Sequence, residues 1–572
     1  MAKLDVERLK GEVVGANHGF RTPFGIRRML YADYVASGRC VGFIEDYLRR
    51  LQASYGNTHT EDDFTGKAMT TLLHQAEERI KQLVGGDART RLVAVGTGAT
   101  GAIHKFQELI GVSAPPVTRA RLRALVEALP AEQQQAAAEL RERLAARSPV
   151  VFIGPYEHHS NEVTWRESLA EVVAVDLTAA GELDLDDLER KVSDPRYADR
   201  FKIGSFSAAS NVTGIVTPTH AVARILRRHG ALACFDFAAS APYVEIDMNR
   251  DPESRFDAIF LSPHKLLGGP GSSGLLLFDE AIYRRDLPPT VGGGGTVDYV
   301  NADDHDYTQG VEDRERAGTP GTFQVLRAAL ALELKDALGV AWIEERERAL
   351  LERAMRRLAA IEGVELLGHP DPARRIAMVA FLVRHDDRYL HPKLVTQLLN
   401  DLFGIQARAG CACAGPYGHR LLGIGLDRSL RYRELTRRGH LGMKPGWARI
   451  SLHFTMDEDD VDYLADAIEF VARHGHAFLG DYAFDLASGA WTHRSEPAEV
   501  SGRFGLEGAL AGATPSVPLD PEADKRSDYA RSLAEARASA QARQAEDAPP
   551  WVVLPPALEE LSFFYVCKLV GD

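Results

Sequence analysis

Apolar and polar positions follow two rhythms along the first half of the chain. From about Leu92 to Leu277, short apolar runs (RLVAV, PVVFIG, VVAVDL, FKIGSFSA, ALACFDF, DAIFL and GLLLF) alternate with stretches of helical spacing, such as the one from Gly101 and the one around Ala221 to Arg228. A run that is apolar at successive positions is a strand covered on both faces, and the intervening helices are the covers. The alternation predicts an α/β domain around a largely parallel sheet. Between the first two strands, RARLRALVEALPAEQQQAAAELRERLAA departs from the rhythm; its charged, alanine-rich pattern predicts a helical insertion over about 112–148.

From about Ala328 a long helix is expected (RAALALELKDAL, continuing through WIEERERALLERAMRRLAAI), followed by a smaller α+β unit with a strand at Ile376 to Val383 and an end near Gly475. The expected division is an N-terminal segment, 1–30, packing on the small domain; a large domain, 31–325; a small domain, 326–475; and a C-terminal extension, 476–572. The extension reads as partly linker-like, because GALAGATPSVPLDPEADKRS is rich in proline and glycine, and SDYARSLAEARASAQARQAEDA is charged and helix-prone. No repeat of fixed period is present.

Composition narrows the partners. Across 572 residues, 45% hydrophobic and 26% charged, the net charge is −14, which argues against nucleic acid or an anionic membrane surface. MAKLDVERLKGEVV has no apolar core of a leader, and no apolar stretch reaches spanning length, so a cytoplasmic protein is expected. Five cysteines, Cys40, Cys234, Cys411, Cys413 and Cys567, are too few for a disulfide framework and point to chemistry where they matter at all.

Gly96 to Gly101, GTGATG, matches G-x-G-x-x-G between a strand and a helix. A dinucleotide fold also needs an acidic residue about twenty positions on, at the tip of the next strand. Here that region reads PPVTRARLR, with neither strand nor acid. What remains is a turn that aims backbone N–H groups and a helix dipole at a phosphate, with the Thr100 hydroxyl as a further donor. Further on, SPHKLLGGPGSSGLLLF places Lys265 on the loop between two strands. An amine beside buried strands is costly unless it is paired, deprotonated or chemically consumed; the alternative is a surface lysine whose amine reaches water over its apolar stem. Its company favours chemistry. Pyridoxal phosphate needs a lysine, an anion cradle, an acid for the pyridine nitrogen, a flat group over the ring and a donor to the phenolic oxygen. Asp236 after ALACF suits the acid, His158 or His159 in YEHHSN the flat group, and Asn211 in AASNVTG the donor. All follow predicted strands, at the edge where open α/β sheets bind ligands. No metal is called for.

Seven motifs then stand in order: YADYVASG from Tyr31, GATGAI from Gly98, EHHSNEVTW from Glu157, SNVTG from Ser210, SPHK from Ser262, AGTPG from Ala317 and RAGCACAGP from Arg408. With them the chain, from about Tyr31 to Gly475, resembles the class V aminotransferase-fold (fold type I) pyridoxal phosphate enzymes, and within these the cysteine desulfurases and selenocysteine lyases. The resemblance implies that Lys265 holds the cofactor and removes the substrate α-proton, that Asp236 pairs with the pyridinium, that His158 stacks on the ring and that Asn211 touches its oxygen side. It implies that Ala99, Thr100, Ser262 and His264 hold the phosphate, with Thr296 in GGGGT reaching the phosphate of a neighbouring subunit in a homodimer. Arg408 would grip the carboxylate of an amino-acid substrate in a fork that lysine cannot reproduce. Cys413, five residues later, would take sulfur or selenium from L-cysteine or selenocysteine, leaving alanine and a persulfide destined for a protein acceptor. Cys411 could relay that sulfur or bond reversibly to Cys413, or simply be a small buried residue. Two positions depart from the pattern: Ala239 stands where a glutamine follows the aspartate by three, and Arg316 where compact members carry a glutamate. Ala239 keeps open an aminotransferase, racemase, epimerase or β-lyase that forms no persulfide. A non-catalytic scaffold or sulfur-binding partner fits poorly with a complete cofactor set.

Overall fold

The computed structural model describes residues 5–58, 60, 62–96, 98–495, 504–512, 514–520, 523–544 and 551–570. They divide into two compact units: Ala36–Ser210 with Ile215–Ala341, and the residues up to Val35 with Asn211–Gly214 and everything from Trp342 onward.

In the first unit, Thr90–Val95 (β1), Val150–Ile153 (β2), Glu171–Ala174 (β3), Lys202–Ser207 (β4), Ala231–Asp236 (β5), Ala258–Leu261 (β6) and Gly274–Asp279 (β7) form one sheet. Their order is β1-β7-β6-β5-β4-β2-β3, with β7 antiparallel to both neighbours and the other pairings parallel. Every residue of β2, β4, β6 and β7 is buried, as expected of strands covered on both faces. The helix Gly98–Leu109 lays Ala99, Ala102, Ile103 and Phe106 into a core that holds Val93, Ile153, Phe260 and Leu276. It starts three residues earlier than the sequence pattern suggests, so the glycine-rich motif forms its first turn rather than a turn ahead of it.

The helical insertion and the expected long helix each consist of two helices. The insertion is a pair, Pro116–Glu127 and Ala131–Ala146, interrupted at Pro130, and neither helix buries a described side chain. The long helix is also a pair, Thr322–Leu338 and Val340–Ala359, because Gly339 takes a left-handed φ of 87° and ends the first. Thr322–Leu338 packs on Phe64–Leu83 in the first unit, and the observed division falls at Ala341, whereas the sequence suggested one after 325.

The second unit is built on an antiparallel sheet in the order Val364–Leu367, Met378–His385, Trp447–Ser451, Arg408–Gly410. Pro392–Phe403 and Glu458–His474 pack against it. The latter opens with a reciprocal cap between Asp457 and Asp460. Leu30–Tyr31 pairs in parallel with Ile405–Gln406, which ties the N-terminal segment into this unit. The C-terminal extension belongs to it as well. Helix Lys525–Gln544 stacks Tyr529 on Tyr463 at a centroid distance of 3.8 Å, sets Lys525 on Asp460 at 2.9 Å and joins Asp528 to Arg28 at 2.8 Å. Val517–Pro518 adds a strand to His18–Thr22. The linker-like stretch is therefore attached at Val517–Pro518 and again from Lys525, while 496–503, 513, 521–522 and 545–550 lie outside the described residues. Among the described residues no helix is long and apolar enough to cross a membrane, and no cluster of His, Cys, Asp and Glu could hold a metal ion.

Candidate active site

The parallel pairings bring the carboxyl ends of β2, β4, β5 and β6 to one edge of the sheet, and β1, antiparallel to β7 as β6 is, ends there too. Asp236 is the last residue of β5. Lys265 closes the single turn Pro263–Lys265 that follows β6, and His158 follows β2. Ala99 and Thr100 lie in the first turn of the helix after β1. The first unit thus gathers seven of the sequence-predicted residues (Ala99, Thr100, His158, Asp236, Ser262, His264 and Lys265) on one edge.

Asp236 is 4% exposed and receives the Ala238 N–H at 2.8 Å. Burial raises its pKa; the Ala238 hydrogen bond and the charge of Lys265 oppose the rise. A further cation beside this buried carboxyl would favour its ionised form. His264 is held neutral, its pKa lowered by burial and by the neighbouring Lys265 charge. The lysine loop is fixed from behind: Gly38 donates its N–H to the His264 carbonyl at 2.9 Å, and a Cβ at Gly38 would lie 2.0 Å from the Leu266 oxygen. That contact explains the glycine ending YADYVASG.

The anion cradle has the same character. Gly98 has φ +59°, and a Cβ there would meet the Ser262 Oγ at 2.8 Å and the His264 ring at 2.9 Å. The Ala99 N–H donates to Ser262 Oγ at 2.8 Å. Thr100 Oγ1 lies 2.7 Å from Ser160 Oγ, which is 3.1 Å from His158 Nδ1. Because the Ser160 N–H also donates to that Nδ1 at 3.1 Å, the neutral His158 ring carries its proton on Nε2. Hydroxyls, a helix N-terminus and a glycine that admits no side chain form a donor set suited to a phosphate monoester. With the unpaired Asp236 carboxylate and the Lys265 amine, the residues fit pyridoxal phosphate. Thr296, by contrast, is buried in its own turn, where its hydroxyl donates to the Gly293 carbonyl at 2.8 Å and accepts the Gly293 N–H at 3.0 Å.

The other three predicted residues lie in the second unit. Arg408 opens a strand opposite Arg449; its side chain is 51% exposed and donates through Nε to Asp33 Oδ2 at 3.0 Å. Arg449 takes the other oxygen of Asp33 at 2.9 Å and donates to the Asn211 carbonyl at 2.6 Å. The Asn211 amide donates to the Ala412 carbonyl at 2.5 Å, while its own Oδ1 is buried without a partner. Ala412 and Cys413 both adopt left-handed conformations, φ 48° and 56°, and Cys413 is exposed whereas Cys411 is half-buried. Asp33, Arg449, Ser160 and Glu157 were not singled out from the sequence, although Asp33, Glu157 and Ser160 sit inside quoted motifs. Of the two departures, Arg316 is paired with Glu77 at 2.9 Å, and Ala239 is buried, with 6% exposure.

Comparison with known proteins places the chain by family and fold. A probable cysteine desulfurase from Halalkalibacterium halodurans is 26% identical over 79% of this chain and 95% of its own, and another from Streptomyces coelicolor is 24% identical over 78% and 92%. The fold matches a solved cysteine desulfurase from Thermococcus onnurineus with a TM-score of 0.63 at 19% identity, covering 83% of this chain and all of that one. A cysteine desulfurase structure from Escherichia coli matches with a TM-score of 0.59 at 20% identity, covering 82% and 98%. The family model described as aminotransferase class-V matches residues 131–464, more than half of the chain, and the chain belongs to that family.

Proposed function

We propose that the protein is a pyridoxal phosphate-dependent cysteine desulfurase that releases alanine from L-cysteine and retains the sulfur as a persulfide on Cys413. The observation that carries the reading is Cys413 itself: it is the exposed cysteine among the five, five residues after Arg408, in a strained left-handed loop. The relatives named probable cysteine desulfurases support it.

When bound, pyridoxal phosphate supplies an electron sink for the substrate α-carbon. The Lys265 amine would anchor it and then move the α-proton. Asp236 would keep the ring nitrogen protonated, since a buried carboxylate without an ion partner gains most from an adjacent N–H cation. His158, with its proton on Nε2, would lie flat against the ring. Ala99, Thr100, Ser262 and His264 would hold the phosphate. Arg408 would take the substrate carboxylate while Asp33 orients its guanidinium. The Cys413 thiolate would attack the substrate sulfur, the sulfur–carbon bond would break, and the electron pair would return to carbon with a proton. Asn211, whose Oδ1 has no partner, could turn its amide toward the oxygen side of the cofactor. We further propose a homodimer, a protein sulfur acceptor and a reducing cytoplasmic setting; the absence of any disulfide among the described residues is consistent with the last.

The test is incubation of reconstituted protein with L-cysteine, measuring sulfide and alanine, and repeating with Cys413→Ala and with L-selenocysteine. Alanine formed at an unchanged rate by Cys413→Ala removes the persulfide step, and pyruvate with ammonia in place of alanine identifies a β-lyase.

A further inference from the structure

Within the second unit, the helix Val340–Ala359, the strand Val364–Leu367 and the loop after that strand surround a cavity of about 650 Å³. Its walls are largely apolar, with Met355 from the helix, Val364 and Leu366 from the strand and Pro370 from the loop. Val364 and Leu366 are two apart in an extended segment, so both turn to this side of the sheet while Glu365 and Leu367 turn to the other.

Arg375 lines the same cavity and is 7% exposed. Its Nη1 donates to the His369 carbonyl at 2.9 Å and its Nη2 to the Met378 carbonyl at 3.1 Å. A guanidinium has five N–H donors, so these bonds leave three, and the Nε is buried with no acceptor among the described residues. No described carboxylate pairs with it, and burial lowers its pKa to about 10. Arg356, exposed on the lining, forms no ion pair with a described residue either, although Glu352 stands one turn before it on the helix. The wall at Arg375 is fixed. Gly368 has φ +89°, and a Cβ there would lie 2.5 Å from the Thr213 Cβ, while the Ile376 N–H donates to the Gly214 carbonyl at 2.8 Å. A guanidinium held between two carbonyls against that wall cannot swing out to water without giving up both bonds.

A buried charge is costly until a counter-ion meets it, and an oxyanion that accepts from the remaining N–H groups removes that cost. Inorganic sulfate would satisfy the guanidinium and leave the apolar walls in water; a carboxylate on a hydrocarbon body satisfies both. We propose that the cavity binds a small organic acid, with its carboxylate on Arg375 and its hydrocarbon body along Met355, Val364, Leu366 and Pro370. This goes beyond the desulfurase reading and does not depend on it.

The experiment is calorimetric titration of the full-length protein, loaded with pyridoxal phosphate, with sodium octanoate. One site with a Kd of ~0.1–1 mM is expected, within reach of a ligand of ten non-hydrogen atoms. Octanol should bind at least roughly 10-fold more weakly, and sodium sulfate at equal concentration should not displace octanoate. Leu366→Trp fills the cavity from a half-buried position and leaves Arg375 in place, so it should abolish binding while the melting temperature stays within a few degrees of wild type. Arg375→Met should reduce the affinity for octanoate to that for octanol; because it also strips two carbonyls of their donor, Leu366→Trp decides where that variant fails to accumulate. Absence of binding at ~10 mM octanoate, equal affinity for octanol, or binding that persists in Leu366→Trp overturns the proposal. Displacement by sulfate at equal concentration overturns it too, by giving Arg375 to an inorganic anion. Repeating the titration without pyridoxal phosphate should give the same Kd, so a failure of the protein to take up that cofactor would count against the proposed function and leave this site to be judged by octanoate.

Discussion

The loop that carries Lys265 and the loop that carries Cys413 solve opposite problems. The first is backed by packed structure: Gly38 closes behind it, Ser262 is bonded to the helix start, and Asp236 lies buried at the end of the neighbouring strand, while Lys265 itself is half-buried. The second is open, with an exposed thiol and two consecutive residues in left-handed conformations that L side chains avoid. A group that must sit still in a low dielectric is held by regular structure; a group that must reach a substrate atom and then hand it on is placed where the backbone is least settled. The same chain supplies both by putting one at strand ends and the other in a turn between a strand and a short helix.

The largest effect should come from the packed side. Lys265→Ala should lower turnover of L-cysteine by at least ~10³-fold and remove borohydride-trapped pyridoxal from position 265, read by mass spectrometry; a trapped adduct elsewhere would mean another lysine does the work. Cys413→Ala should lower sulfide release by roughly 10²–10³-fold while the bound chromophore is unchanged, because the variant touches only the open loop. Loss of the chromophore in that variant would erase the division of labour. Arg408→Lys should cost about 10–10²-fold in kcat/KM, since a point charge keeps attraction but loses the fork. An unchanged kcat/KM would reassign the carboxylate contact.

The motif residues of both loops, Lys265 on the packed side and Arg408 and Cys413 on the open one, could be read from the chain, and their distant partners could not. Asp236, Lys265 and the GATG turn each follow an apolar run, and the run reports both the strand and the end at which chemistry gathers. The breaks at Gly339 and Pro130 were equally local, yet the helical rhythm on either side masked them. What stayed hidden depends on partners far apart in sequence. Nothing near Glu157 says that Ser207, fifty residues on, will close over it, and nothing near Arg28 announces Asp528. The helix-prone stretch of the extension was legible but its attachment was not, for the same reason: the helix is mostly polar, and it is held by a few side chains such as Tyr529 and Lys525 meeting the helix Glu458–His474.

The finest distinction between the two loops is whether the left-handed turn is strain or merely shape, and Ala412 isolates it. At φ 48° an alanine gives up about 1–2 kcal/mol relative to its preferred regions. Glycine removes that penalty but loosens the unfolded chain by about 0.4–1 kcal/mol, so Ala412→Gly should stabilise the protein by about 0–1.6 kcal/mol, a small rise in Tm. Its carbonyl would still accept from Asn211, so the turn itself should persist. Turnover is where strain and shape part: if the left-handed backbone holds the Cys413 thiol outward, a freer residue before it should lower kcat a few-fold with little change in cofactor affinity. A lower Tm together with an unchanged kcat would mean that alanine is at ease there and that the exposure of Cys413 is set by the strand and helix on either side of it.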